Sequence, residues 1–198
     1  MSNATSRAAD HTIAAQFTER WSPRAFTDEA LTPATLYAFL EAARWSPSGG
    51  NEQPWRFVYS LRDSGSWPLF IDLLNEGNRL WARNAAALVL IVSRTVRRAR
   101  DSDAEIPSRS HSFDAGAAWA SLALQASLSG WATHAIGGFD HERARTALGV
   151  PAQFKAEAII AIGRRGERAQ LPPELQQREA PNGRLPLSEI AFADSFRG

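Results

Sequence analysis

Arg20, Ser22 and Arg24 fall within five residues, in the run Arg20-Trp21-Ser22-Pro23-Arg24. Two guanidinium groups and a hydroxyl at that spacing can grip a phosphate or another anion. Ser22-Pro23 also reads as a helix N-cap and first helical residue, whose free backbone N–H groups would add to such a cradle; a plain cap flanked by solvated arginines fits the segment equally well. A second run, Ser46-Pro47-Ser48-Gly49-Gly50-Asn51-Glu52-Gln53-Pro54-Trp55, offers amides and hydroxyls with almost no charge. Its glycines would let the backbone approach a flat heterocycle closely, and the run is longer than a single helix-to-strand connection needs. A third, Ala135-Ile136-Gly137-Gly138-Phe139-Asp140, could turn backbone N–H groups toward a ligand or could be a tight turn before a helix.

Other chemistries lose their residues. The chain has no cysteine, which removes disulfides, thiolate metal sites and a cysteine nucleophile. Its four histidines, His11, His111, His134 and His141, show no paired ligand spacing, so no metal is expected. The GxxxxGK[ST], GxGxxG and GxSxG motifs are absent, and no two carboxylates stand out as an acid–base pair. Lys155 is the only lysine, so a bound phosphate would be held by arginine, backbone amides or hydroxyls. A net charge of +1 gives no field favouring nucleic acid or an anionic membrane. The longest apolar run, 85–92, is far short of the ~20 residues of a membrane helix. With no signal or transit pattern at Met1 to Ser6, a cytoplasmic protein is expected.

The 198 residues suit one domain, 1–198. Thr32-Pro33 starts a helix carrying Leu36, Phe39, Leu40 and Ala43 on one face. Residues 55–59 alternate as a half-buried strand, 67–74 read as helix, 88–92 as a strand buried on both faces, and 158–162 as a third strand. A small-residue helix spans 112–129 and stops at Gly130, and Asp140 caps a helix over 141–148. The arginine-rich segment 94–112 has no apolar period and reads as a long exposed loop. From about 164 to 198 the chain looks like an arm that wraps something. Arg-Trp-Ser-Pro recurs at 20–23 and 44–47, but the flanks differ and no repeat is inferred.

The three chemical elements, in this order and at these separations, resemble the nitroreductase-like family of FMN-dependent oxidoreductases from about Arg20 to Pro186, most specifically over 46–57. The resemblance implies an α+β fold, a three-layer α/β/α arrangement around a mostly antiparallel sheet, in a domain-swapped homodimer with shared flavin sites. Arg20 and Ser22, with Trp21 between them, would hold the phosphate, and Arg24 would sit at the N1/O2 edge of the ring. Pro47, Ser48, Gly49 and Asn51 match the loop that covers the partner subunit's flavin, with Trp45 lining that ring. Asn78 matches a flavin-contacting asparagine, Gly137 and Gly138 a loop whose N–H reaches N5, and Arg184 a late basic residue at the phosphate. Trp81 and Asn182 stand where many members carry lysines. Segment 94–112 would lie near the mouth of the substrate channel, with His111 and Phe113 as candidates to line it. The implied activity is ping-pong transfer from NAD(P)H through FMN to nitroaromatics, quinones or similar small electron-poor acceptors; alternatives are an FMN-binding or flavin-buffering protein, or a dehalogenase or enone reductase on the same scaffold.

Overall fold

The computed structural model describes residues 7–198. In chain order it forms α1 (Gln16–Glu19), α2 (Pro33–Arg44), β1 (Trp55–Leu61), α3 (Trp67–Leu73), α4 (Glu76–Ala82), β2 (Ala87–Arg94), β3 (Val96–Arg98), β4 (Glu105–Pro107), α5 (His111–Leu128), β5 (Ala132–Ile136), α6 (His141–Ala147), β6 (Phe154–Gly163) and α7 (Pro173–Gln176). The centre is an antiparallel sheet in the order β1-β2-β6-β5. Its inner strand β2 is almost wholly aliphatic because helices cover both of its faces. Leu88, Leu90 and Val92 meet Phe70, Leu73, Trp81 and Ala144 of α3, α4 and α6. Ala87, Val89 and Ile91 meet Leu36, Phe39 and Ala43 of α2 and Ala115, Ala118 and Leu122 of α5. The period-2 alternation of one strand thus serves two apolar layers, which gives the expected three-layer α/β/α fold.

Local signals set the helix ends. Thr32 accepts a hydrogen bond from the Thr35 N–H, with Pro33 at the first helical position, and Asp140 caps α6 through the Arg143 N–H. α5 ends before Gly130, whose φ of +76° favours glycine. The β2–β6 register shifts so that Ile91 pairs with Ala158 and Val92 with Ala156, leaving Glu157 as the extra residue of a bulge. Ser93 Oγ donates to Glu157 Oε1 (2.5 Å), and so does Ser112 Oγ (2.6 Å). His111 Nδ1 lies 2.7 Å from Ser93 Oγ and Lys155 Nζ 2.8 Å from Glu157 Oε2. Burial alone would raise the Glu157 carboxyl, but Lys155 and the two serine hydroxyls hold it below the ordinary value. The bulge therefore ties the start of α5 to the sheet.

Two expectations need correction. Segment 94–112 is not one long loop: β3 and β4 pair as a hairpin, Arg94 meets Glu105 and Arg98 meets Asp103, and 111–112 already belong to α5. No apolar period marks that hairpin because neither of its strands is buried in the core. Ser22-Pro23 starts no helix; residues 20–25 are irregular, and Phe26 makes an isolated bridge to Arg165. Among the described residues, no helix is long and apolar enough to cross a membrane.

Candidate functional site

The arm explains why no helix follows Ser22. The Arg24 and Ala25 N–H groups, which a helix start would leave free, both donate to Glu179 Oε1, at 2.8 and 2.9 Å. Glu179 is buried, and its Oε2 finds no hydrogen-bond partner, with Arg24 Nη1 at 3.8 Å. Arg7 clips the same layers together: Nε donates to the Thr18 carbonyl (2.6 Å), Nη2 to that of Arg20 (2.9 Å) and Nη1 to that of Asn182 (2.8 Å). Truncation in Glu179→Ala strands two N–H donors, and a loss of about 2 kcal/mol is expected in denaturant unfolding at fixed protein concentration. Glu179→Gln, whose amide oxygen can accept both bonds, should keep most of that stability.

Between the 20–24 segment and the arm lies a cavity of about 890 Å³ lined by Arg20, Trp21, Ser22, Arg24, His134 and Arg184, with Arg7 and Arg178 at its edge. Its cations face one another. The Arg20 guanidinium is pushed below its ordinary value by burial, then by Arg184 and Arg7. Arg24 is lowered by burial and by Arg178, against the opposing effect of Glu179. Among the described residues, no ion pair links Arg20 or Arg184 to a carboxylate; the cavity's one such pair is Arg24 with Glu179.

His134, on β5, stacks on Trp81 of α4 with ring centroids 4.6 Å apart. Its Nδ1 lies 3.0 Å from the Pro23 carbonyl, so the proton sits there. Burial lowers its basicity and Arg24 adds to this, opposed by the Pro23 and Ser22 backbone and by Glu179; the ring is neutral at pH 7. One turn back on α4, Asn78 Nδ2 donates to the Gly138 carbonyl (3.1 Å), which also accepts from the Asn75 N–H (3.1 Å). A Cβ at Gly138 would fall 2.4 Å from Asn75 Nδ2, so the close approach requires glycine. The Gly137 carbonyl lies 3.4 Å from His141 Nε2.

The connection from α2 to β1 goes elsewhere. Ser46 Oγ lies 2.7 Å from Ser121 Oγ, and the Gly49 N–H donates to buried Asp114 (3.2 Å), which also accepts from Ser110 Oγ (2.9 Å). Ser48 Oγ accepts from the Gln53 N–H, and Asn51 takes a φ of +56°. Trp45 is 74% exposed, its Nε1 donating to Glu41 and Arg44 lying 4.9 Å above its ring. Arg20, Trp21, Ser22, Arg24 and Arg184 thus share one cavity, with Asn78, Gly137 and Gly138 linked to it through Trp81 and His134. Trp45, Pro47, Ser48, Gly49 and Asn51 do not line that cavity; their connection is tied to α5 through Ser46 and Gly49.

A model of the nitroreductase family matches residues 17–65 and 67–164. The chain belongs to the nitroreductase family. It is similar over 100% of both chains to the crystal structure of an oxidoreductase containing FMN, at 44% identity and a TM-score of 0.94. An uncharacterized 15.4 kDa protein in the ask 5' region of Mycolicibacterium smegmatis is 36% identical over 121 residues, 61% of this chain and 77% of that protein. A Streptomyces coelicolor protein whose name pairs NADH dehydrogenase with NAD(P)H nitroreductase is 38% identical over 79 residues, 40% of this chain and 38% of that one.

In this nitroreductase-family chain the matched region stops at 164, yet Arg178, Asn182 and Arg184 beyond it line the cavity. Sequence reasoning missed Arg7, His134, Arg178 and Glu179. A lone histidine on a strand carries no signal of its own, and nothing near Glu179 indicates that its partners lie 154 and 155 residues away.

Proposed function

We propose that this protein is an FMN-dependent NAD(P)H oxidoreductase that reduces nitroaromatics, quinones or similar electron-poor acceptors, reductant and acceptor using one site in turn. The observation that carries this reading is the facing of Arg7, Arg20 and Arg184 across a cavity without an opposing carboxylate at Arg20 or Arg184. A partly buried Arg20 guanidinium with Arg184 and Arg7 close enough to act on it, beside a serine hydroxyl, is the donor set of a phosphate dianion. A volume of about 890 Å³ also lies within the ~300–1,000 Å³ of ordinary small-molecule sites. The residues present therefore fit FMN.

In this reading Arg20, Ser22 and Arg184 hold the phosphate, with Trp21 beside them. Arg24, steadied by Glu179, supplies a fixed positive charge at the ring edge where negative charge gathers during reduction. Asn78, Gly137 and Gly138 present amides on the other side of Trp81 and His134. FMN held by these residues would supply the hydride chemistry, while the chain binds and orients it. The chain needs no acid–base pair of its own, which agrees with the lack of one in the sequence.

The protein works as a homodimer in this proposal, in one unit spanning 1–198. Trp45, Pro47, Ser48, Gly49 and Asn51 then cover the flavin held by the other protomer, which accounts for their distance from the arginine cavity of their own chain. Exposed Trp45 and Phe113, the latter 83% exposed, supply apolar surface for such an interface.

The test is the visible spectrum of the purified protein before and after anaerobic NADH or NADPH, with light scattering on the same sample. The expected result is a yellow dimer whose flavin band bleaches and returns when a quinone or nitroaromatic is added. A band that persists with both reductants would leave an FMN binder, and a colourless protein that FMN cannot reconstitute would overturn the reading.

A further inference from the structure

The hairpin β3–β4 bounds a second cavity, of about 800 Å³, separate from the Arg20 cavity and lined in part by the Gly49–Gly50 loop. Gly49, Gly50 and Glu52 form one wall, and Arg97, Arg98, Arg100 and Arg109 another. Arg98 is neutralised by Asp103. Arg97 donates only to the neighbouring Arg98 carbonyl, at 3.4 Å, and no ion pair links Arg97, Arg100 or Arg109 to a carboxylate among the described residues. Three unpaired guanidinium forks therefore surround one hollow, against the single carboxylate of Glu52, in a chain whose net charge is only +1.

Spaced arginine forks suit the several oxygens of a phosphate or diphosphate group, each fork able to take two of them. The cavity is large enough for such a group together with the organic body attached to it. An extended polyanion is less well served, because Asp101, Asp103 and Glu105 lie on the same hairpin among its arginines. The wall opposite the arginines is the Gly49–Gly50 loop, held in place by Asp114.

We propose that this cavity is a subsite for a phosphorylated substrate, whose phosphate groups are held by Arg97, Arg100 and Arg109 while its reacting end passes Gly49 and Gly50 toward the flavin. The inference rests on the functional reading above, which puts that loop over the ring. The phosphates belong either to the dinucleotide reductant or to the acceptor.

The FMN-loaded wild type and the triple variant Arg97→Gln/Arg100→Gln/Arg109→Gln are titrated calorimetrically with inorganic pyrophosphate, with the flavin spectrum recorded for both. Flavin fills the Arg20 cavity, so pyrophosphate reports on the hairpin. The subsite predicts at least about tenfold weaker pyrophosphate binding in the variant, with equal flavin content and melting temperature. Equal pyrophosphate affinity in the two proteins, or no binding to either, would overturn it. Stopped-flow bleaching then separates the sources. A fall of about tenfold in the rate with subsaturating NADPH, against no change with the uncharged donor 1-benzyl-1,4-dihydronicotinamide, assigns the phosphates to the reductant. Unchanged rates with both donors, alongside lost pyrophosphate binding, assign them to the acceptor. A wild type that binds no FMN would overturn the functional reading by itself, and the pyrophosphate comparison would still decide whether the hairpin arginines form an anion site.

Discussion

Arg20→Ala is expected to weaken FMN binding about a hundredfold, read from the quenching of flavin fluorescence in an equilibrium titration. Arg20 stands nearer the centre of the cation cluster than its neighbours do: Arg184 and Arg7 both depress its guanidinium, and Ser22 Oγ lies 3.5 Å from its Nη1. A charge-assisted contact to phosphate contributes roughly 1.5–3 kcal/mol, and its loss from a half-buried site is not made good by water. The apoprotein should lose no stability, because the Arg20 guanidinium is disfavoured by its own burial and by Arg184 and Arg7. Arg20→Lys separates charge from shape: it keeps the charge and loses the fork, so its affinity should fall between the two. Riboflavin, which lacks the phosphate, should bind wild type and Arg20→Ala alike, whereas a parallel drop in its affinity would show that Arg20 serves the ring or the fold instead.

The parts of this molecule legible in its sequence are those decided over a few residues. Thr32-Pro33 and Asp140 cap their helices as read, since a cap is satisfied within one turn. The aliphatic cores of β2 and β6 announce themselves because helices cover both faces of the strands. The Arg20-Trp21-Ser22-Pro23-Arg24 run does line a common cavity, yet its backbone starts no helix. The donors expected to face a ligand from a helix start are bound by Glu179 in the distant arm. The hairpin β3–β4 is flanked by charge pairs, Arg94 with Glu105 and Arg98 with Asp103, and neither of its strands carries an apolar period. The bulge at Glu157 breaks the alternation of β6 for a reason located on α5, at Ser112. The 20–25 backbone is set by a partner more than 150 residues away, and the hairpin by local charge pairs that no hydrophobic period records, and these two elements border the two proposed sites.

Trp81→Ala carries the largest expected cost, about 3–5 kcal/mol, because it empties a space that three elements share. The indole is 1% exposed, stacks on His134 at 4.6 Å and meets the Phe26 ring at 6.2 Å. Phe26 in turn lies against Gly163 so closely that a Cβ there would come within 2.6 Å of it, so it is packed on that side as well. At about 2–4 °C per kcal/mol for a chain of this size, the melting temperature should fall by roughly 6–20 °C at matched protein concentration. The site should suffer beyond the loss of stability. His134 would keep its bond to the Pro23 carbonyl but lose the surface that orients its ring, and the link from Asn78 and Gly138 to the arginine cavity would be cut. Trp81→Phe tests this separation. It keeps an apolar ring under His134 at a smaller volume loss, so it should recover most of the stability and most of the flavin affinity together. If Trp81→Ala melts as expected while binding FMN as tightly as the wild type well below its midpoint, the indole is a core residue only, and the cavity does not depend on α4 for its floor.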